Sequence, residues 1–122
     1  MIVSFDGFKK KEEELKEYKN SILKLIDQFI EYEMTVGGDF KNNHAYYNGL
    51  PSTITKYYKA TDFYKDGLRD RQFVLNFLFR NNYDSFSHDE IQLNKKEYLD
   101  LLEFMKDPET YDINKKTKNY NL

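Results

Sequence analysis

The sequence contains no cysteine, which excludes disulfides, thiolate nucleophiles and cysteine-based metal sites, and suits a reducing compartment. No stretch approaches the ~18 apolar residues of a membrane span, and the opening MIVSFDGFKK is too briefly apolar for a signal peptide. These absences predict a cytoplasmic protein with no membrane partner. Basic charge is not in surplus either. The 19 Lys and Arg against 21 Asp and Glu give a net charge of −2 and a pI near 5.7, so no global basic field attracts nucleic acid. Imidazole is limited to His44 and His88. No Gly-rich loop runs into a Lys-Ser/Thr pair, and Ser52, Ser85 and Ser87 lack a nucleophile-elbow context. Phosphate-loop and serine-nucleophile chemistry therefore have no support, and no cofactor is expected.

What the chain does contain is aromatic area. Its 122 residues suit a single domain; 39% are hydrophobic and 33% charged, but 10 Phe and 11 Tyr are present. Each ring buries far more surface than an aliphatic side chain of similar count. A core can be built from them.

Periodicity places that core on helices. Leu15, Tyr18, Ile22, Leu25, Phe29 and Tyr32 alternate spacings of three and four, which predicts a helix from Lys9 to about Glu33, ended by Gly37-Gly38. The run KKKEEELKE reads as its solvated first face. Residues 1–8 read as an edge strand or lead-in, and 40–50 as an ordered loop with Asn48-Gly49 able to turn a small hairpin. Pro51 suits a helix start, with Ile54, Tyr57, Tyr58, Thr61 and Tyr64 at helical spacing to about Lys65. Leu68–Arg80 holds all three arginines in the most apolar run of the chain, and predicts a central core helix. Two capping boxes follow, Ser87 to Glu90 and Asn94 to Glu97; the second opens a helix that Asp107-Pro108 closes. The expectation is a mainly α domain of about four helices over residues 1–108, with a short N-terminal strand or small hairpin allowed, and a polar, loosely ordered tail over 109–122.

On the Leu68–Arg80 helix, Arg69, Gln72, Asn76 and Arg80 fall on one polar stripe at about 100° per residue. Tyr46, Tyr47, Tyr57 and Tyr58 lie in the two preceding segments. Tyr and Arg dominate protein-interface hot spots, so these eight residues are the candidate interface. The same rings with Lys56, Lys59 and Lys65 suit single-stranded nucleic acid, the alternative reading. Asp70 and Arg71 fall inside the apolar arc and call for an internal ion pair, with Glu31, Glu33 or Glu103 as partners. His88-Asp89 matches the HD dipeptide of metal-dependent phosphohydrolases, with His44 and Asp107 as further conceivable ligands. A capped helix start explains the dipeptide better, so no metal is assigned and a hydrolase is only a remote alternative.

Gly67 to Arg80, GLRDRQFVLNFLFR, followed by Tyr83 and by Tyr98 to Met105, resembles a helical segment of GmrSD-type restriction proteins. In that ParB-like nuclease family a basic–Asp–Arg–acidic start leads into an apolar helix; Gln72 stands here where an acidic residue is expected. The likeness covers about residues 67–105, and the family's catalytic Asp-Gly-Gln-Gln-Arg motif is absent. It implies a helical portion without nuclease chemistry. The functional expectation is a small non-enzymatic protein-binding module, such as an inhibitor or accessory factor from a phage or mobile element. Homo-oligomers are allowed by it.

Overall fold

A helix lacking interior Pro, with apolar residues three and four apart, can run until a glycine pair stops it. In the computed structural model, which describes residues 5–67 and 72–113 (side chains from Lys11 onward, Tyr47 excepted), α1 spans Phe5–Val36. Its end comes where the sequence places it. Gly37 and Gly38 have φ of 89° and 90°, a region costly for a residue with a Cβ, and Gly37 N–H donates back to the Glu33 carbonyl at 3.1 Å. Ile26, Phe29, Ile30 and Glu33 are buried along one stripe of this helix. Residues 5–8 belong to α1 and not to an edge strand.

A short helix α2, Asp39–His44, then buries Phe40 edge-on to Phe29 with ring centroids 5.6 Å apart. Asn48-Gly49 turns a two-residue hairpin between β1, Tyr46–Tyr47, and β2, Leu50–Pro51. Both turn residues have positive φ, as the favoured twist-matched turn requires. A 3₁₀ turn at Thr53–Lys56 buries Ile54.

From here the chain departs from the helical expectation. Tyr57–Asp66 is strand β3, Gln72–Arg80 is β4 and Phe86–Leu93 is β5, joined as an antiparallel sheet of order β3-β4-β5. The fold is α+β, not mainly α. In place of the two middle helices predicted over 51–65 and 68–80, the described residues form the 3₁₀ turn and the antiparallel strands β3 and β4. The physical reason lies in what a solidly apolar run permits. Phe73, Val74, Leu75, Phe77, Leu78 and Phe79 would leave a helix apolar nearly all round. As the central strand they bury Val74, Leu75 and Phe77 while neighbours on both sides take up the backbone hydrogen bonds. Aromatic and β-branched residues fill β3 and β4, and these fit a pleated surface better than a helix turn.

The Ser87–Glu90 capping box is likewise overturned: those residues are mid-strand, paired with Phe79 to Asn76. Asn81 makes the β4–β5 turn instead. Its side-chain oxygen accepts from Tyr83 N–H and Ser85 N–H.

The second capping box is present as predicted. Asn94 accepts from Glu97 N–H at 2.8 Å, Glu97 accepts from Asn94 N–H at 3.0 Å, and α3 runs Lys95–Lys106. Pro108 does not end the ordered chain. Residues 108–113 are helical, Asp107 caps them by accepting from Thr110, and Tyr111 is buried. The folded unit thus extends past the predicted boundary at 108; residues 114–122 lie outside the described ones.

The core sits between one face of the sheet and α1, α2 and α3. Phe29 packs edge-on to Phe40, Phe104 and Tyr111, and Phe73 stacks on Tyr98 of α3 at 3.5 Å. Helix α1 also covers the outer margin of β3. The Asp27 carboxylate accepts from Ala60 N–H at 2.7 Å and from the Tyr57 hydroxyl.

Candidate protein interface

Strand alternation divides the sheet into two faces. Rows of paired residues, Tyr57–Phe79–Ser87, Ala60–Phe77–Asp89 and Phe63–Leu75–Ile91, turn toward the helices. The intervening rows, Lys59–Leu78–His88, Asp62–Asn76–Glu90 and Tyr64–Val74–Gln92, turn away from them. Two register shifts in β3 set Tyr58 beside Lys59 and Thr61 beside Asp62, so two residues there oppose one on β4.

The outward face is built of a narrow apolar centre with aromatic and charged flanks. Val74 is buried by its neighbours and Leu78 is half-buried, while Tyr58, Tyr64 and Phe86 are 58%, 41% and 54% exposed. Tyr58 and Phe86 reach toward each other from the two outer strands, ring centroids 4.9 Å apart. Gln72, Asn76 and Arg80 stand on the same face of β4. Arg80 is held by an ion pair to Asp84 at 2.7 Å across the β4–β5 turn. At the opposite margin Lys19 bonds Asp62 at 3.0 Å, which holds that carboxyl below its usual range. Both signs of charge are therefore present: Lys59 and Arg80 toward one end, Asp62, Asp66 and Glu90 toward the other.

Of the residues picked from sequence, the sheet brings together Tyr58, Gln72, Asn76 and Arg80. It separates the rest. The Tyr57 ring lies 5.2 Å from Phe77 on the covered side, and its hydroxyl is pushed well above the usual tyrosine range by burial and by the Asp27 carboxylate. Tyr46 is exposed on the small hairpin. Tyr47 is placed by its backbone in β1, opposite Leu50. Arg69, with Asp70 and Arg71, lies outside the described residues. Sequence reasoning set Tyr64 at helical spacing beside Lys65 and left out Val74, Leu78 and Phe86, whose shared side follows only from the strand pairing.

A second polar constellation is internal. His44 Nε2 lies 2.6 Å from Glu97 Oε2 with both side chains nearly buried. The Tyr111 hydroxyl donates to buried Glu33, and Tyr32 donates to Asp112 at 2.6 Å. Burial first, then the carboxylate partner, pushes both tyrosines up. A cavity of about 190 Å³ lined by Glu33, Asp39, Phe40 and Lys96 adjoins these groups. Lys96 bonds Asp39 at 2.6 Å, which raises its pKa. Among the described residues every buried side-chain N or O atom has a hydrogen-bond partner, and these bonds tie α2 to α3 and α1 to residues 108–113.

The HD dipeptide is dismantled by the same alternation. His88 stands on the outward face and Asp89 on the other, where it accepts from Thr53 Oγ1 at 2.8 Å. His44 is across the core at Glu97. Among the described residues no three His, Asp or Glu side chains are grouped to hold a metal ion, and no helix there is long and apolar enough to cross a membrane.

Comparison of the chain with family models, curated proteins and solved structures finds no match.

Proposed function

We propose that the protein is a non-catalytic protein-binding module that presents the outward face of its sheet to another protein. The observation that carries this is the makeup of that face. Three exposed rings, Tyr58, Tyr64 and Phe86, surround Val74 and Leu78, with Gln72, Asn76 and Arg80 at the margins. Aromatic anchors around a small apolar centre with a polar rim are the anatomy of an interface. An inhibitor or accessory role rests on the same adhesive surface.

Affinity capture with Tyr58→Ala and Phe86→Ala tests it, alongside Arg80→Glu. Each variant is expected to keep wild-type circular dichroism and to lose at least ~10-fold in partner affinity, the hot-spot range. Undiminished capture by all three overturns this choice of face.

One observation favours nucleic acid as a second reading. Lys59 and Arg80 share an end of the face with Tyr58 and Phe86, and rings beside cations stack single strands. The carboxylates of Asp62, Asp66 and Glu90 on the same face oppose it. Binding that weakens steeply with salt would mark this alternative.

A further inference from the structure

At the end of the sheet where β4 begins and β5 runs into α3, the surface is concave. A cavity of about 560 Å³ opens there, within the ~300–1,000 Å³ range of small-ligand clefts. Its wall is flat and apolar. The Phe73 and Tyr98 rings lie parallel, their planes within 7°, beside Leu99, which is 51% exposed. Among the described residues, both charged side chains that line it are lysines, Lys65 and Lys95. The strand pairing accounts for that sign. Lys65 shares a helix-side row with Phe73 and Leu93, whereas Asp66 and Glu90 stand in rows of the outward face. Neither lysine is ion-paired, unlike Lys19, Lys96 and Arg80, which carboxylates hold. Lys65 Nζ instead lies 5.6 Å from the centre of the Phe73 ring, a cation–π contact that keeps the ammonium beside the cavity.

We infer that this cavity binds a small aromatic anion, a planar apolar body bearing one carboxylate or sulfonate, at a site separate from the sheet's outward face. The body lies against Phe73, Tyr98 and Leu99 and takes their apolar surface out of water. The anionic group is met by the Lys65 and Lys95 ammonium groups. Gln72 and Gln92, which also line the cavity, supply amide N–H donors for its oxygens. The lining selects this class over its neighbours. An inorganic anion would forgo the apolar wall, a neutral ring would forgo both ammonium groups, and a cation would meet no carboxylate there. Exposed charges contribute modestly in water, so the ring supplies most of the affinity and the lysines most of the selectivity.

Fluorescence titration of the full chain with anilinonaphthalene sulfonate, an aromatic anion of this kind, tests the inference. Saturable binding of one probe per chain is expected, with a Kd of ~100 μM or tighter. Lys65→Glu combined with Lys95→Glu should weaken it at least ~10-fold, because each exchange turns an attraction into a repulsion. Leu99→Glu should weaken it by a similar factor by removing part of the apolar wall. All three side chains are exposed, so each variant should keep wild-type circular dichroism. Lys65→Gln with Lys95→Gln gives a milder second reading, a loss of ~3-fold. Absence of saturable binding below ~1 mM overturns the proposal, as does an affinity unmoved by the lysine exchanges. Equal binding of uncharged phenylnaphthylamine overturns it in favour of a plain apolar cleft. Displacement of the probe by sulfate at constant ionic strength overturns it in favour of an inorganic-anion site. Arg80→Glu, on the outward face, should leave probe affinity unchanged, so failure of either site is read independently.

Discussion

The two faces of the three-stranded sheet are cut from the same strands, yet they obey different rules. Toward the helices, Leu75 and Phe77 are fully buried, and Phe63 and Phe73 continue the packing onto Tyr98. One residue away along β4, Gln72 and Arg80 are exposed and Asn76 is half-exposed. The covered face holds the fold together. The outward face carries the exposed Gln72 and Arg80 around buried Val74, and its proposed role is recognition. A change of one residue in register would exchange the two roles completely.

The sharpest way to break this contrast is to empty the covered face. Phe77→Ala should destabilise the protein by ~3–5 kcal/mol, the range for a large core ring lost to a cavity. Urea unfolding monitored by circular dichroism measures it; a loss below ~1 kcal/mol would mean that Phe77 is not central to the packing.

A middle-sized effect comes from the hydroxyls that close the covered side. Tyr57 and Tyr111 have raised pKa values in the folded state, against 10.0 ordinarily, first through burial and then through bonds to Asp27 and Glu33. A raised folded pKa stabilises the protein fully below pH ~10 and loses that contribution as pH climbs further. The unfolded chain then releases protons that the folded chain retains. Stability should fall by ~1.4 kcal/mol per pH unit for each such tyrosine above pH 10. Tyr57→Phe should remove one share of that slope. An unchanged slope would place the hydroxyl in solvent and return Tyr57 to the interface candidates.

The smallest effects belong to the outward face. Gln72→Ala and Arg80→Ala should each alter unfolding free energy by no more than ~0.5 kcal/mol, because exposed residues and surface ion pairs contribute little. A loss of several kcal/mol at either position would show that this face is structural and sink the contrast.

These faces also explain what the sequence made legible. Gln72, Asn76 and Arg80 were grouped because four residues nearly complete a helical turn. Four is also an even number, so the same three share one side of a strand. The stripe survived the wrong element for that reason, as far as the described residues go; Arg69 lies outside them. Helix α1, its Gly37-Gly38 stop, the Asn48-Gly49 turn and the Asn94 cap were readable because their causes are local. Strands β3 and β4 were not, because a continuous apolar run takes its conformation from the partners that pair with it. The His44–Glu97 contact joins residues far apart in the chain and leaves no spacing to detect. Even β5 was disguised, since Ser87 and Glu90 satisfy a capping pattern that only a free backbone could use.

Asp27 gives the sheet a direction of growth. By taking the Ala60 N–H, this helix carboxylate stoppers the β3 margin, so an incoming strand could be templated only alongside β5. That margin bears His88, Asp89 and Glu90 in succession, charges that a second strand would have to accommodate. Edge-to-edge pairing is thus opposed at one border by a helix carboxylate and at the other by charged and polar side chains. Replacing Asp27 would release the Ala60 N–H on a margin that α1 still lies against.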